Sequence, residues 1–506
     1  MLRTHLTVLE TSACRYPLSP VFKLPRSDSQ STYGQDWHSV TYRQFHNDVE
    51  NFAGHWLHTL TQSGIAPGSV VGVWIGGYTY TDVLHIYGMS RAGYVPQLFS
   101  LRLPNPDVIY ELLRKANAKA LVHESTFASV LQDSPFPTHL ALGMEDIDVT
   151  GEPLPELRRV QPEDIAFYFH TSGSSGGSPK LVPCSHRWLD ATVMKSSQTS
   201  APQNPARQDV TVWMGSMCHI GQTLQHGSSV IQPTQILFLP RNLSPCSRLS
   251  WAMHIRNAKS DPKLLQVLSS MDEVLYSGMP LPREEEKFVG STEAGATLLS
   301  IGDAGNNASL LQPLAGTAYR FAPIKDQSQT EAAHQSTARM LEFVILAESG
   351  DCPDSSLRHA DGHFHTGDLF QEVAPGQYVS RGRDDDWIKS ENSLRCDTKS
   401  IEDNVRMTCG SLIGECIVVG SGRPSPVLFV EPNTDMDPEK LKKEIIRKTR
   451  QFHSRRYLHE RITSTNMIVI VPPKTLPRTL TKGNIRRKAV EEAYKSQLDQ
   501  IYALVR

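Results

Sequence analysis

Between residues 68 and 123 short apolar runs alternate with stretches of helical period. Val70-Val71-Gly72-Val73-Trp74-Ile75 and Ala120-Leu121-Val122 are unbroken apolar runs of strand length, whereas Asp107 to Ala116 repeats its apolar positions every three or four residues. A strand that is apolar on successive residues has both faces covered, so the alternation predicts an α/β fold with parallel-rich sheets flanked by helices. Asp164-Ile165-Ala166-Phe167-Tyr168-Phe169-His170 is a further buried-strand candidate, and it runs directly into a segment of Gly and Ser.

From about residue 204 to 257 the pattern gives way to Pro, Ser and Asn, and no element is assigned there. After Gly382 the chain changes character. An Asp-rich loop and a short helical stretch precede strand-like Cys416-Ile417-Val418-Val419 and Val427-Leu428-Phe429-Val430, then a basic helix from Asp437 to Arg456, strand-like Met467-Ile468-Val469-Ile470-Val471, and a basic tail. This predicts a large N-terminal domain over 1–382 and a small, separate α+β domain over 383–506. No internal repeat is present.

A chain of 506 residues is too long for one ordinary core, which agrees with that division. Hydrophobic content of 39% with 21% charged residues describes a globular chain, and a net charge of -2 offers no general attraction to nucleic acid or anionic lipid. Neither a leader peptide nor an apolar run of membrane-spanning length stands out, so a cytoplasmic protein is expected. The eight cysteines are scattered, without a CxxC pair or zinc spacing, as expected of reduced thiols.

The segment Thr171-Ser172-Gly173-Ser174-Ser175-Gly176-Gly177-Ser178-Pro179-Lys180 carries the first chemistry. Small residues let the backbone turn sharply and aim several N–H groups at one anion, hydroxyls add donors, and Lys180 adds charge. A flexible linker has similar composition, but a linker does not sit between a buried strand and Pro-Lys-Leu-Val-Pro. The spacing departs from the G-x-x-x-x-G-K-[ST] phosphate loop.

This loop resembles the T-S-G-T-T-G-x-P-K signature of the adenylate-forming superfamily of acyl- and aryl-CoA ligases, luciferases and peptide-synthetase adenylation domains, with one extra residue before Pro179. Further motifs follow in the family's order. Gly290-Ser291-Thr292-Glu293 resembles G-x-T-E, Thr366-Gly367-Asp368-Leu369 resembles T-G-D-L, and Gly382-Arg383-Asp384-Asp385-Asp386-Trp387-Ile388-Lys389 resembles G-R-x-D-D-x-I-K. Each alone reads equally as an ordinary turn or acidic loop. Together with Val40-Thr41-Tyr42 near the start and Pro477-Arg478-Thr479 near the end, they extend the resemblance over essentially the whole chain. The wording is nearest to fungal peptide-synthetase-like proteins and adenylate-forming reductases.

The resemblance implies a role for each residue. Thr171, Ser172, Gly173, Ser174, Ser175, Gly176, Lys180 and Ser291 would grip the phosphates of ATP, and Thr292 would touch the nucleotide phosphate. Glu293 would help hold Mg²⁺, and Asp368 would accept from the ribose hydroxyls. Arg383 would lie near the nucleotide, and Asp385 would be the hinge about which the small domain swings. In Thr479-Leu480-Thr481-Lys482-Gly483 the family's Gly and Lys are transposed, making Lys482 the candidate catalytic lysine and Lys488 the reserve; a solvated basic tail is the plain alternative.

The implied reaction activates a carboxylic acid with MgATP to an acyl adenylate, then transfers the acyl group to the thiol of CoA or of a carrier-protein phosphopantetheine. Cys218, His219 and Gly278 fall at the implied substrate pocket; His219 is equally readable as a structural histidine. The stretch Trp213 to Gly221 carries no acid to pair an α-ammonium, so an aryl or aliphatic acid is favoured over an amino acid. No carrier-domain or reductase motif follows Lys482, so the chain is expected to act alone or with a carrier protein or synthase in trans. The sequence between Ser216 and Gly290 is abbreviated relative to the family, which keeps a catalytically impaired nucleotide-binding relative as the alternative. A cytosolic ATPase of another kind is the third reading.

Overall fold

The computed structural model describes residues 2–25, 37–101, 103, 105–147, 154–157, 159–171, 180–199, 208–213, 215–220, 235–238, 266, 288–300, 310–324, 340–384, 387–391, 395–454, 456, 458–479 and 483–503. The chain forms two compact units, one from residues 1–171, 179–320 and 344–365, the other from 172–178, 321–343 and 366–506.

The first unit is built on a six-stranded sheet. Its strands run in the order Thr138–Leu140, Ala120–His123, Val70–Trp74, Val95–Phe99, Ile165–Thr171 and Lys180–Ser185. All neighbours are parallel except the last pair. Val71, Val73, Trp74, Ala120, Leu121 and Val122 are fully buried, which is why these strands are apolar without alternation. Crossover helices Tyr80–Arg91 and Pro106–Lys115 start on built caps: Thr79 and Asp82 form a capping box, and Asn105 precedes a proline in the first turn. Glycine is required at Gly72, because a Cβ there would lie 2.6 Å from Leu113 Cδ2 on the second of these helices. Helix Tyr42–Gln62, capped by Thr41, buries Phe45, Val49, Phe52, Trp56 and Leu60 along one face.

The stretch without assignable elements contributes two strands, Asp209–Val212 and Gln235–Phe238. They join Pro20–Pro25 and Trp37–Thr41 in a four-stranded sheet. Phe288–Ser291, Gly295–Ser300 and Leu311–Pro313 are antiparallel neighbours.

In the second unit Gln377–Arg383 pairs antiparallel with Phe364–Ala374, and a ring cluster of Phe321, Phe343, Phe370 and Tyr378 packs beside them. Toward its C-terminal end Ile413–Val419, Val427–Pro432 and Ile468–Ile470 form a three-stranded sheet. Cys416, Val418, Leu428 and Val430 pack on helices Thr398–Cys409 and Pro438–Ser454. Ile417, Val419, Val427 and Phe429 pack on helices Arg487–Ala493 and Lys495–Ala503. The period of two thus divides each apolar run between two covered faces.

Candidate active site

In the first unit Thr171 and Lys180 are opposed residues of the antiparallel pair Ile165–Thr171 and Lys180–Ser185. The ladder sets Thr171 and Lys180, the residues that flank the Gly/Ser segment, beside each other. Ser172, Gly173, Ser174, Ser175 and Gly176 lie outside the described residues. His170, one residue before Thr171, donates from Nδ1 to Leu98 O at 3.1 Å, and burial pulls its imidazole below the ordinary histidine range. It is a neutral structural anchor for the end of that strand.

Ser291, Thr292 and Glu293 occupy a tight turn between Phe288–Ser291 and Gly295–Ser300, in which Ser291 is opposed to Gly295. Gly295 has φ of +68°, a conformation that glycine adopts without steric cost. A Cβ at Gly290 would lie 2.7 Å from Gly295 O. The Ser291 hydroxyl accepts from Ala294 N at 3.2 Å.

Two donors from helix His186–Thr199 reach the same turn. Trp188 Nε1 donates to Glu293 O at 2.9 Å and Lys195 Nζ to Ala294 O at 2.7 Å. Lys195 also pairs with Asp351 Oδ2 at 2.6 Å, and neither side chain is exposed. The Tyr319 and Ser349 hydroxyls donate to the same carboxylate. Trp188, Lys195 and Asp351 were not among the residues expected from the sequence. The available signal was a lysine seven residues after Trp188, on the inward face of an otherwise apolar helical repeat.

Asp368 and Arg383 are opposed in the second unit's ladder, with Arg383 Nη1 3.1 Å from Asp368 Oδ1. Gly367, within the strand that carries Asp368, has φ of +72°, and a Cβ there would stand 3.3 Å from Arg383 Nη2. Thr366 Oγ1 accepts from Asp368 N at 3.0 Å and donates to Phe343 O at 2.8 Å. The pair is partly open to solvent, with side chains 22% and 46% exposed for Asp368 and Arg383.

The segment carrying Cys218 and His219 docks on the chain just beyond strand Val70–Trp74. Ser216 Oγ donates to Gly76 O at 2.6 Å and Met217 N to Gly77 O at 2.7 Å. The Cys218 thiol is buried 3.6 Å from Ile75 O, and burial, reinforced by the charges of Asp82 and Glu124, pushes it far above the ordinary thiol range. Those two carboxylates are engaged by backbone N–H groups, Asp82 by Tyr78 and Thr79 and Glu124 by Gly76. Met217 and Ile220 face an apolar cavity with Tyr87, Phe169 and Trp188, whereas His219 is exposed. Gly278, Asp385 and Lys482 lie outside the described residues. Among the described residues nearby in sequence, Thr479 N donates to Asn484 O at 2.8 Å and Arg478 pairs with Glu431 at 2.6 Å.

Glu293 fits a magnesium role in its donor chemistry, since Mg²⁺ is usually held by one or two carboxylates plus substrate phosphates. Among the described residues no group of three or more His, Cys, Asp or Glu is arranged to hold a metal. No helix among the described residues is long and apolar enough to cross a membrane.

The chain belongs to the AMP-binding enzyme family: the model of AMP-binding enzymes matches residues 10–289, and that of the AMP-binding enzyme C-terminal domain matches 385–506. It is 33% identical to the AMP-binding domain-containing enzyme iboA of Amanita muscaria (strain Koide BX008), over 94% of this chain and 98% of that protein. It is 21% identical to the adenylate-forming reductase stbB of Stachybotrys bisbyi over 83% of this chain, but spans 41% of that protein's length. Among solved structures, the anthranilate CoA ligase AuaEII in complex with anthranoyl-AMP shares the fold, with a TM-score of 0.69, 17% identity and 98% of both chains covered. So does the McyG A-PCP structure complexed with phenylalanyl-adenylate, with a TM-score of 0.71, 16% identity, and 99% of this chain and 98% of that one covered.

Proposed function

We propose that the chain activates an aryl or aliphatic carboxylic acid with ATP and passes the acyl group to a thiol, of CoA or of a carrier-protein phosphopantetheine. The substrate carboxylate oxygen attacks the α-phosphorus, the bond to the β-bridging oxygen breaks, and pyrophosphate leaves. Every reacting group is anionic, so the protein's task is positioning and charge neutralisation. Thr171, the 172–176 segment, Lys180 and Ser291 bind phosphate oxygens, and Thr292 joins them. Lys482 neutralises charge developing between carboxylate and α-phosphate. Glu293 would hold Mg²⁺, which when bound supplies further charge neutralisation at the phosphates.

The observation that carries the reading is Asp368 opposed to Arg383. A carboxylate is an acceptor-only group suited to a ribose diol, and here a guanidinium stands 3.1 Å from it. The preference for an acid without an α-ammonium is supported by the surroundings of Cys218, where the carboxylates whose charges act on its thiol, Asp82 and Glu124, are engaged by backbone amides. Cys218, His219 and Gly278 belong to the proposed pocket. The division at 382/383, with Asp385 as its hinge, is supported by the C-terminal model that begins at 385. A cytoplasmic location is part of the same proposal.

The test is ATP–pyrophosphate exchange with a panel of aryl, fatty and amino acids, with Glu293→Ala and Lys482→Ala as controls. Exchange with an aryl or aliphatic acid, reduced by about 10² to 10³ in either variant, is expected. ATP binding without exchange for any acid would replace this reading with that of a non-catalytic relative, which the transposed Lys482-Gly483 order favours. Full activity in Lys482→Ala would move the catalytic role to Lys488.

A further inference from the structure

A buried ammonium is costly unless paired and hydrogen-bonded, and an apolar pair of similar volume is often at least as stable. What an apolar pair lacks is direction. Lys195 uses that direction on one backbone carbonyl, Ala294 O at 2.7 Å, immediately after Glu293. Its own place is set by Asp351, which in turn accepts from Tyr319 and Ser349. Trp188, two helical turns earlier on the same face, takes the preceding carbonyl, Glu293 O. One helix thus holds two consecutive carbonyls, and Ser291 Oγ holds the amide of Ala294 from the other side of the turn.

We propose that Lys195, oriented by Asp351, is a positioning residue that sets the direction of the Thr292–Glu293 turn and through it the rate of adenylation. The inference rests on the adenylation reading for its effect on rate. Lys195 is fully buried, with its ammonium taken up by Ala294 O and Asp351. It acts on peptide groups, and a displacement of about 1 Å at a reacting site is enough to cost on the order of 10²-fold.

The test uses the full chain carrying Lys195→Met/Asp351→Asn, which removes both charges while leaving an amide oxygen to accept from one of the Tyr319 and Ser349 hydroxyls and an amide NH2 to donate to the other, and separately Trp188→Phe. Amide hydrogen exchange over residues 290–297 is expected to speed up about tenfold or more in the double variant, with strand Val70–Trp74 unchanged. In pyrophosphate exchange kcat should fall about 10- to 100-fold while KM for the acid stays within about threefold, and the Mg²⁺ concentration for half-maximal rate should rise. Trp188→Phe should move the same readouts in the same direction by less. A folded double variant with wild-type protection over 290–297 and wild-type kcat would overturn the proposal. Should the double variant fail to fold, unchanged protection and kcat in Trp188→Phe would overturn it instead. If the wild-type chain exchanges pyrophosphate with no acid, the adenylation reading fails, and the hydrogen-exchange arm still decides whether Lys195 holds the turn.

Discussion

Two carboxylates with proposed nucleotide roles, Glu293 in the first unit and Asp368 in the second, are held in opposite ways. In the first unit Glu293 sits in a turn whose peptide groups are gripped from behind by Trp188 and by a fully buried Lys195–Asp351 pair. In the second unit Asp368 is held from in front by Arg383, a guanidinium nearly half exposed. A buried pair fixes geometry because breaking it strands a charge without solvent, whereas an exposed pair is readily replaced by water and counterions. The first arrangement suits a group that must not move, and the second suits the proposed role of accepting and releasing a ribose.

That contrast can be broken most directly in the first unit. Asp351→Ala leaves Lys195 buried without its counter-charge and should cost about 3–5 kcal/mol of stability, measured by urea unfolding. A loss below about 1 kcal/mol would show that the pair does not fix the turn. Asp368→Ala should leave stability nearly unchanged but raise KM for ATP by about 10- to 100-fold, as for loss of hydrogen bonds to a charged acceptor. The same variant should abolish discrimination between ATP and its 2′,3′-dideoxy analogue; retained discrimination would remove Asp368 from the ribose.

Buried polar groups in the first unit also leave a pH signature. Trp56 Nε1 donates to His85 Nδ1 at 3.1 Å, so the other nitrogen, Nε2, carries the proton and donates to Leu142 O at 3.0 Å. Burial lowers this imidazole to about 4. A depressed histidine is charged in the unfolded chain before the folded one, so its contribution is complete above about pH 6.5 and is lost as pH falls from there towards 4. The slope contributed is about 1.4 kcal/mol per pH unit at most, and His85→Gln should remove it. An acid slope unchanged in that variant would place the titration elsewhere. The smallest effect belongs to the exposed pair: Arg383→Ala should cost about 0.2–1 kcal/mol of ATP binding, shrinking as salt is raised. A large, salt-independent loss would mean that the guanidinium acts from a desolvated site and would erase the contrast.

Much of this was legible along the chain. Runs such as Val70–Trp74 and Val427–Pro432 announce strands covered on both faces, since only burial on both sides tolerates successive apolar residues. Asp368 and Arg383 were each marked by a local motif, and the ladder then placed them opposite one another. The strands Asp209–Val212 and Gln235–Phe238 were not legible, because the second pairs with Pro20–Pro25, more than two hundred residues away, and local composition carries no trace of that pairing.

What the sequence determined by itself is the family, the α/β architecture and the identity of the groups that would meet ATP, because each depends on short-range spacing: glycines where the backbone turns, a carboxylate after Thr-Gly, a threonine and a glutamate together. What only the tertiary structure decided is how those groups are held. Lys195 and Asp351 are 156 positions apart, and Lys195 and Ala294 are 99 apart. No periodicity links such residues. A lysine on an apolar helical face becomes interpretable only when folding removes its water and brings a carboxylate and a carbonyl to replace it.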